Sequence, residues 1–147
     1  MTDEYVTDID IGAKVEPGAT NPFFAADDRH ALLVFNVALD ADGRWNSCVF
    51  KFVSNIVKFG APSDHSISRH ALYGKGLKYY SVGEVHNSKW YSELFPNSDP
   101  KKTELRHLIF TFHDSTFECL ARDIEFSIVA GEALGVFASQ VNQFLLV

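Results

Sequence analysis

Two stretches of this chain each pair alternating apolar runs around a short polar turn, a pattern that admits little besides antiparallel sheet. In the first, His30–Asp40 and Arg44–Val57 flank Ala41-Asp42-Gly43. Asp-Gly is a hairpin signal because glycine tolerates positive φ at no steric cost. With Asp42 and Gly43 as the central turn residues, Val37 faces Cys48, Phe35 faces Phe50 and Leu33 faces Phe52, all on one apolar face. The other face, with Val34, Asn36, Val49 and Lys51, is mixed. A slip of one residue would destroy this separation.

The second hairpin spans Leu105–Arg122. With Asp114 and Ser115 at its turn, Leu108, Phe110, Phe112, Phe117, Cys119 and Ala121 collect on one apolar face. The opposite face carries His107, Thr111, His113, Thr116, Glu118 and Arg122. The apolar parity flips near Asp123, after which Ile124, Phe126 and Ile128 take over, as a β-bulge would cause.

Weaker signals fill in the rest. Tyr5–Ile11 alternates as a short, half-exposed strand. Asn87-Ser88 can cap a short helix over Lys89–Phe95, ended by Pro96. Leu134, Phe137, Val141 and Phe144 recur at helical spacing, with a final strand over Gln143–Val147 as the alternative. Gly74-x-Gly76 lacks the third glycine and long helix of a dinucleotide loop. The resulting fold class is α+β: antiparallel hairpins in one main sheet with one or two helices. A β-sandwich is the alternative. The length of 147 residues fits a single globular domain, residues 1–147.

A net charge of −6 argues against general nucleic-acid binding and suits a basic protein partner. Its plainer meaning is solubility. No apolar run approaches the ~20 residues that span a bilayer, so no membrane partner is expected. The first residues, with Asp3, Glu4, Asp8 and Asp10, do not read as a signal peptide, which makes a cytoplasmic location the expectation. Cys48 and Cys119 fall on apolar faces and read as small hydrophobes, too few for a disulfide framework or a zinc quartet.

Three polar groups could carry chemistry. On the second hairpin, His113 and Glu118 come out as diagonal neighbours, able to share a proton or part of a metal site. The plain alternative is the solvated face of a half-buried sheet. His113-Asp114-Ser115 spells a triad, but adjacent residues point apart, and Asp and Ser favour turns. The segment Asp64-His65-Ser66-Ile67-Ser68-Arg69-His70 reads as a loop with two imidazoles and a carboxylate. Glu84, His86, Asn87 and Ser88 form the third group, with helix capping as the plain reading. If the Asp64–His70 loop packs beside the second hairpin's polar face, those two groups merge. The candidate site is therefore Asp64, His70, Glu84, Asn87, His107, His113, Asp114, Thr116 and Glu118. No cofactor is predicted; a divalent metal on His70, His113 and Glu118 is the alternative.

Phe59-Gly60-Ala61-Pro62, His70, Gly76-Leu77, Glu84-Val85, Asn87-Ser88-x-Trp90 and above all Phe112-His113-Asp114-Ser115-Thr116-Phe117-Glu118-Cys119 resemble a family of small uncharacterised bacterial proteins. The resemblance covers about residues 59–121, and the last string is its specific part. Relatives carry Asn-Asp-Glu after the proline and a proline after the histidine, where this chain has Ser63-Asp64-His65 and Ala71. The departure at His65 puts any role of that acidic residue in doubt. The resemblance implies a bacterial origin and directs attention to the polar residues around His70, Glu84 and His113. It carries no catalytic roles.

The leading functional expectation is a non-catalytic binding module of an immunity or accessory type, acidic so as to meet a basic partner. A small hydrolase or metal-assisted enzyme using His70, Glu84, His113 and Glu118 is the second. A structural homo-oligomer is the third.

Overall fold

The computed structural model describes residues 3–18, 21–98 and 104–144. Among them lie strands β1 (Tyr5–Asp8), β2 (Phe23–Ala26), β3 (His30–Val37), β4 (Asn46–Gly60), β5 (Val82–His86), β6 (Arg106–Thr111) and β7 (Thr116–Ala130). Helices α1 (Lys89–Leu94) and α2 (Ala133–Phe144) accompany them, with a 3-10 turn over Asp64–Arg69. All seven strands belong to one sheet, in the order β1-β5-β6-β7-β4-β3-β2. This is the expected antiparallel sheet with helices.

Both hairpins keep their predicted faces but shift their partners by two residues. In the first, Phe35 pairs with Cys48 and Leu33 with Phe50. The turn is longer than Asp42-Gly43 alone, because the Asp40 carboxylate accepts the Asp42 and Arg44 N–H groups at 2.9 and 3.0 Å. Gly43 follows with φ +72°, the left-handed residue that closes such a turn. In the second, Ile109 pairs with Glu118 and Thr111 with Thr116. The Phe112 N–H meets the Ser115 carbonyl at 2.9 Å, so His113 and Asp114 sit at the centre of the turn, not Asp114 and Ser115. An even shift leaves every side chain on its predicted face, since the strand period is two. At the phase flip in β7, Asp123 stands at φ +50° inside the strand and resets the alternation.

The chain divides into two compact units, Met1–Ile9 with Ile56–Arg122, and Asp10–Asn55 with Asp123–Val147. In the first unit, Val6, Ile67, Leu72, Leu77, Val85 and Ile109 form one buried cluster. The segment between Pro62 and Tyr80 thus lies over the polar face of the second hairpin, and the alternative of a solvated face does not hold there. His107, Thr111 and Thr116 on that face are buried, while Arg122 at its end is exposed. The close approach requires glycine at position 76, where a Cβ would fall 2.2 Å from the Val6 carbonyl oxygen. Gly76 also holds φ +107°.

In the second unit, α2 packs on Leu32, Val34 and Val49 through Ala133 and Val136, with Phe137 and Val141 half-buried beside them. The buried stripe differs from the predicted one, since Leu134 is 61% exposed. Helix α2 is capped by the buried Asn36, whose Oδ1 accepts the Ala133 N–H at 2.8 Å. The alternative of a strand near the C-terminus fails through Phe144; residues 145–147 lie outside the described residues. On the sheet's other face, Phe50 stacks with Phe35, Phe52 and Phe126 at centroid distances of 6.2, 5.7 and 5.1 Å. Burying one such side chain contributes roughly 1.5–3 kcal/mol.

Candidate functional site

Glu118 on β7 is the hub of the polar site. Its pair on β6 is Ile109, two residues from His107 on the same face, so the imidazole reaches it diagonally across the ladder. His107 Nε2 lies 2.8 Å from Glu118 Oε1. His70, at the end of the 3-10 turn, comes from above the sheet and places its Nε2 3.2 Å from Glu118 Oε2. Each carboxylate oxygen therefore holds one imidazole.

The protons follow from the second nitrogen of each ring. His70 Nδ1 accepts the Leu72 N–H at 3.0 Å, so its Nε2 carries the proton and donates to Glu118. His107 Nδ1 lies 2.7 Å from Ser88 Oγ. That hydroxyl oxygen accepts the Tyr91 N–H at 3.1 Å as the N-cap of α1, which leaves its own proton for Nδ1. His107 then also donates from Nε2. Burial resists the charge on Glu118, but the hydrogen bonds from His107 and His70 outweigh it and hold the carboxyl down at about 2.

Ser88, His107 and Glu118 form a serine–histidine–carboxylate chain on paper. The serine oxygen is engaged in capping a helix, however, and the His107 side chain is only 3% exposed beneath the Trp90 ring at 5.2 Å. A general base must reach both nucleophile and leaving group, and this ring reaches only Ser88 and Glu118. Lys58 Nζ lies over the Trp90 ring, 4.1 Å from its centroid. The arrangement is a clamp that ties the 3-10 turn and α1 to β6 and β7.

A second carboxylate–imidazole pair stands at the β6–β7 turn. Asp64 Oδ2 accepts from His113 Nδ1 at 2.7 Å and from the Tyr80 hydroxyl at 2.5 Å. The Tyr80 hydrogen bond, helped by His113, keeps Asp64 below the usual carboxylate range, and Tyr80 is correspondingly raised. The Asp64 N–H donates to the His113 carbonyl at 2.9 Å, fastening the segment to the turn through the backbone as well. His113 is 42% exposed, and Asp114 Oδ1 stands 3.8 Å from its Nε2.

The two predicted groups, loop and hairpin face, do come together, but with other partners than the sequence suggested. His113 is turned to Asp64 and is not the diagonal neighbour of Glu118; that position belongs to His107. The correction follows from the register, which puts His113 in the turn. Thr116 donates to the Pro62 carbonyl at 2.7 Å. Asp114 is almost fully exposed. Glu84 joins neither pair: on β5 it takes Arg106 in a two-pronged bridge of 2.7 and 3.1 Å, whose hydrogen bonds lower its pKa. Asn87, at φ +56°, donates to the Asp3 carbonyl at 3.0 Å.

Three participants escaped the sequence reading. Tyr80 had no signal beyond its aromatic neighbour Tyr79. Leu72 contributes through its backbone. Glu4, buried near the N-terminus, accepts the Lys89 N–H at 2.9 Å and helps Ser88 to cap α1.

The proposed metal trio is not assembled. Among the described residues no three His, Cys, Asp or Glu groups are placed to hold a metal ion. His70 is also unsuited by its own hydrogen bonds: a ring that binds metal through Nε2 carries its proton on Nδ1 and gives it to an acceptor, whereas here Nδ1 meets a donor, the Leu72 N–H. A shallow cavity of about 390 Å³ lies beside His70, lined by Ala61, Pro62, Ser66 and Arg69. No protein-family model, curated protein or solved structure matches the chain.

Proposed function

We propose that this chain is an α+β, non-catalytic binding module that meets a basic protein partner through its second unit. The observation that carries this reading is the distribution of charge. The second unit holds nine Asp and Glu against four Lys and Arg, while the first holds ten against nine. The excess negative charge thus resides almost wholly in one unit, where it can steer a basic surface. The closed polar clamp supports the same reading, because every ring nitrogen of His70 and His107 and both oxygens of Glu118 already have a partner within the protein. Groups so engaged hold a scaffold in place.

Native mass spectrometry of the untagged chain, purified gently at low salt from the cells that make it, tests the proposal. The expected result is a complex heavier than 16.5 kDa by the mass of a basic protein, dissociating as salt rises. A bare monomer at every salt concentration refutes it. A mass of twice the chain favours the homo-oligomer.

One observation favours a second reading, that of a small hydrolase. His113 is oriented through Nδ1 by Asp64 and is 42% exposed, with the exposed Asp114 carboxylate 3.8 Å from its Nε2, a placement open to a general base. Against it, the cavity on this side is lined by residues 61–70 without His113. Hydrolysis of a panel of chromogenic esters and phosphoesters, abolished by His113→Ala, would support this reading; no turnover above the water rate would end it.

A further inference from the structure

In the second unit a cavity of about 450 Å³ opens between the end of β7 and α2. That volume lies within the ~300–1,000 Å³ range of sites that take small groups. Its lining divides by chemistry. Val129, Val136 and the bare backbone of Gly135 make an apolar wall. Glu132, Ser139 and Gln140 supply polar atoms.

Gln140 Oε1 is fully buried and has no hydrogen-bond donor among the described residues. An acceptor left in that state costs about 1–3 kcal/mol, which a ligand that donates a proton would recover. Helical side chains lean toward the helix N-terminus, so Gln140 reaches back along α2 toward Val136 and Glu132. Glu132 is exposed and lines the cavity. The first turn of α2 by itself favours anions, but that preference fades within one turn, and Glu132 offsets it there. Two donors at this helix start are already engaged: the Ala133 N–H with Asn36, and the Val136 N–H with the Glu132 carbonyl at 3.0 Å.

We infer that this cavity receives the side-chain cation of a lysine or arginine. The N–H donors meet Gln140 Oε1, the charge is balanced by Glu132, and the methylene stem lies on Val129, Gly135 and Val136. The inference rests on the binding-module reading and deepens it, since it says where a basic partner inserts a residue into the acidic unit.

The test is a chemical-shift titration of the full chain with n-butylammonium, a lysine end with its stem. n-Butanol controls for the stem, and tetramethylammonium for charge without donors. Saturable shifts at Gly131, Gly135 and the Gln140 side-chain amide are expected, with both controls at least tenfold weaker. n-Butylguanidinium in a parallel arm decides between lysine and arginine. Gln140→Leu removes the acceptor. Gly135→Leu fills the cavity without changing charge, and open space surrounds the position of its Cβ. Both variants should weaken n-butylammonium binding at least tenfold with the remaining resonances in place. Equal shifts with a control, or undiminished binding by Gln140→Leu, overturn the inference. If n-butylammonium binds but no partner complex is recovered, the cavity stands and the module reading falls. If a partner is recovered and Gly135→Leu holds it equally well, the module reading stands and the cavity falls.

Discussion

Replacing Glu118 by glutamine keeps the shape of the clamp and removes its charge. The amide oxygen can accept from His70, whose Nδ1 is committed to Leu72 and cannot take the proton instead. The amide nitrogen then faces His107, which must move its proton to Nδ1 and donate to Ser88 Oγ. The clamp survives in a reorganised form without its charge-assisted bonds. In the wild type the carboxyl drops from its ordinary 4.5 to about 2 on folding. At 1.36 kcal/mol per unit this depression is worth on the order of 3 kcal/mol at neutral pH. The folded pKa is the lower one, so the unfolded chain takes up the proton first as pH falls. The stabilisation is complete above about pH 5 and lost progressively toward pH 2. Glu118→Gln should therefore be less stable by about 3 kcal/mol at pH 7, and the gap should close on acidification, by at most ~1.4 kcal/mol per pH unit. Urea unfolding followed by tryptophan fluorescence at steps from pH 7 to 2.5 measures it, with Trp90 against His107 as a local probe. A gap that stays constant across that range would show that the charge on Glu118 is not what the two imidazoles stabilise.

Other expectations are simpler. Gly76→Ala should cost about 3 kcal/mol or more, since the new methyl meets the Val6 carbonyl and φ is +107°; an unchanged melting temperature would contradict the close approach. Gly135→Ala, inside α2 with open space at its Cβ, should stabilise by about 0.5–1 kcal/mol, and any loss of stability in a thermal melt would count against that. Cys48, pushed up to about 12 by burial, and Cys119, raised by the same cause, should resist Ellman's reagent until the chain unfolds. Reaction within minutes under native conditions would refute their burial.

The hairpins were legible because their apolar residues alternate locally. Their exact partners were not, because Asp40 folds its own side chain into the first turn and Phe112, just past the end of β6, closes the second. Neither feature alters the face pattern, so nothing in the alternation could report it. The clamp was harder to foresee. Its residue types were visible in His70, His107 and Glu118, but the segment that brings His70 over the sheet carries only Ile67, Leu72 and Leu77 as anchors, at no regular spacing. Periodicity reports which face a residue occupies, not which distant loop comes to cover it. His113 was assigned a strand position that the turn then claimed, which is why Asp64 and not Glu118 became its partner. Tyr80 and the backbone of Leu72 offered no pattern at all.

The polar clamp also bears on the order of events in folding. His70 and Glu118 are 48 residues apart in sequence, Asp64 and His113 are 49, and Glu4 and Lys89 are 85. Each closure fixes a long loop before any hydrogen bond forms, whereas the β6–β7 turn closes within a few residues. Short-range pairing of β6 with β7 should come first, and the clamp should lock late, after the rate-limiting barrier. Substitution of its long-range member would then act on one arm of the chevron: His70→Ala should unfold faster than the wild type while refolding at nearly the same rate.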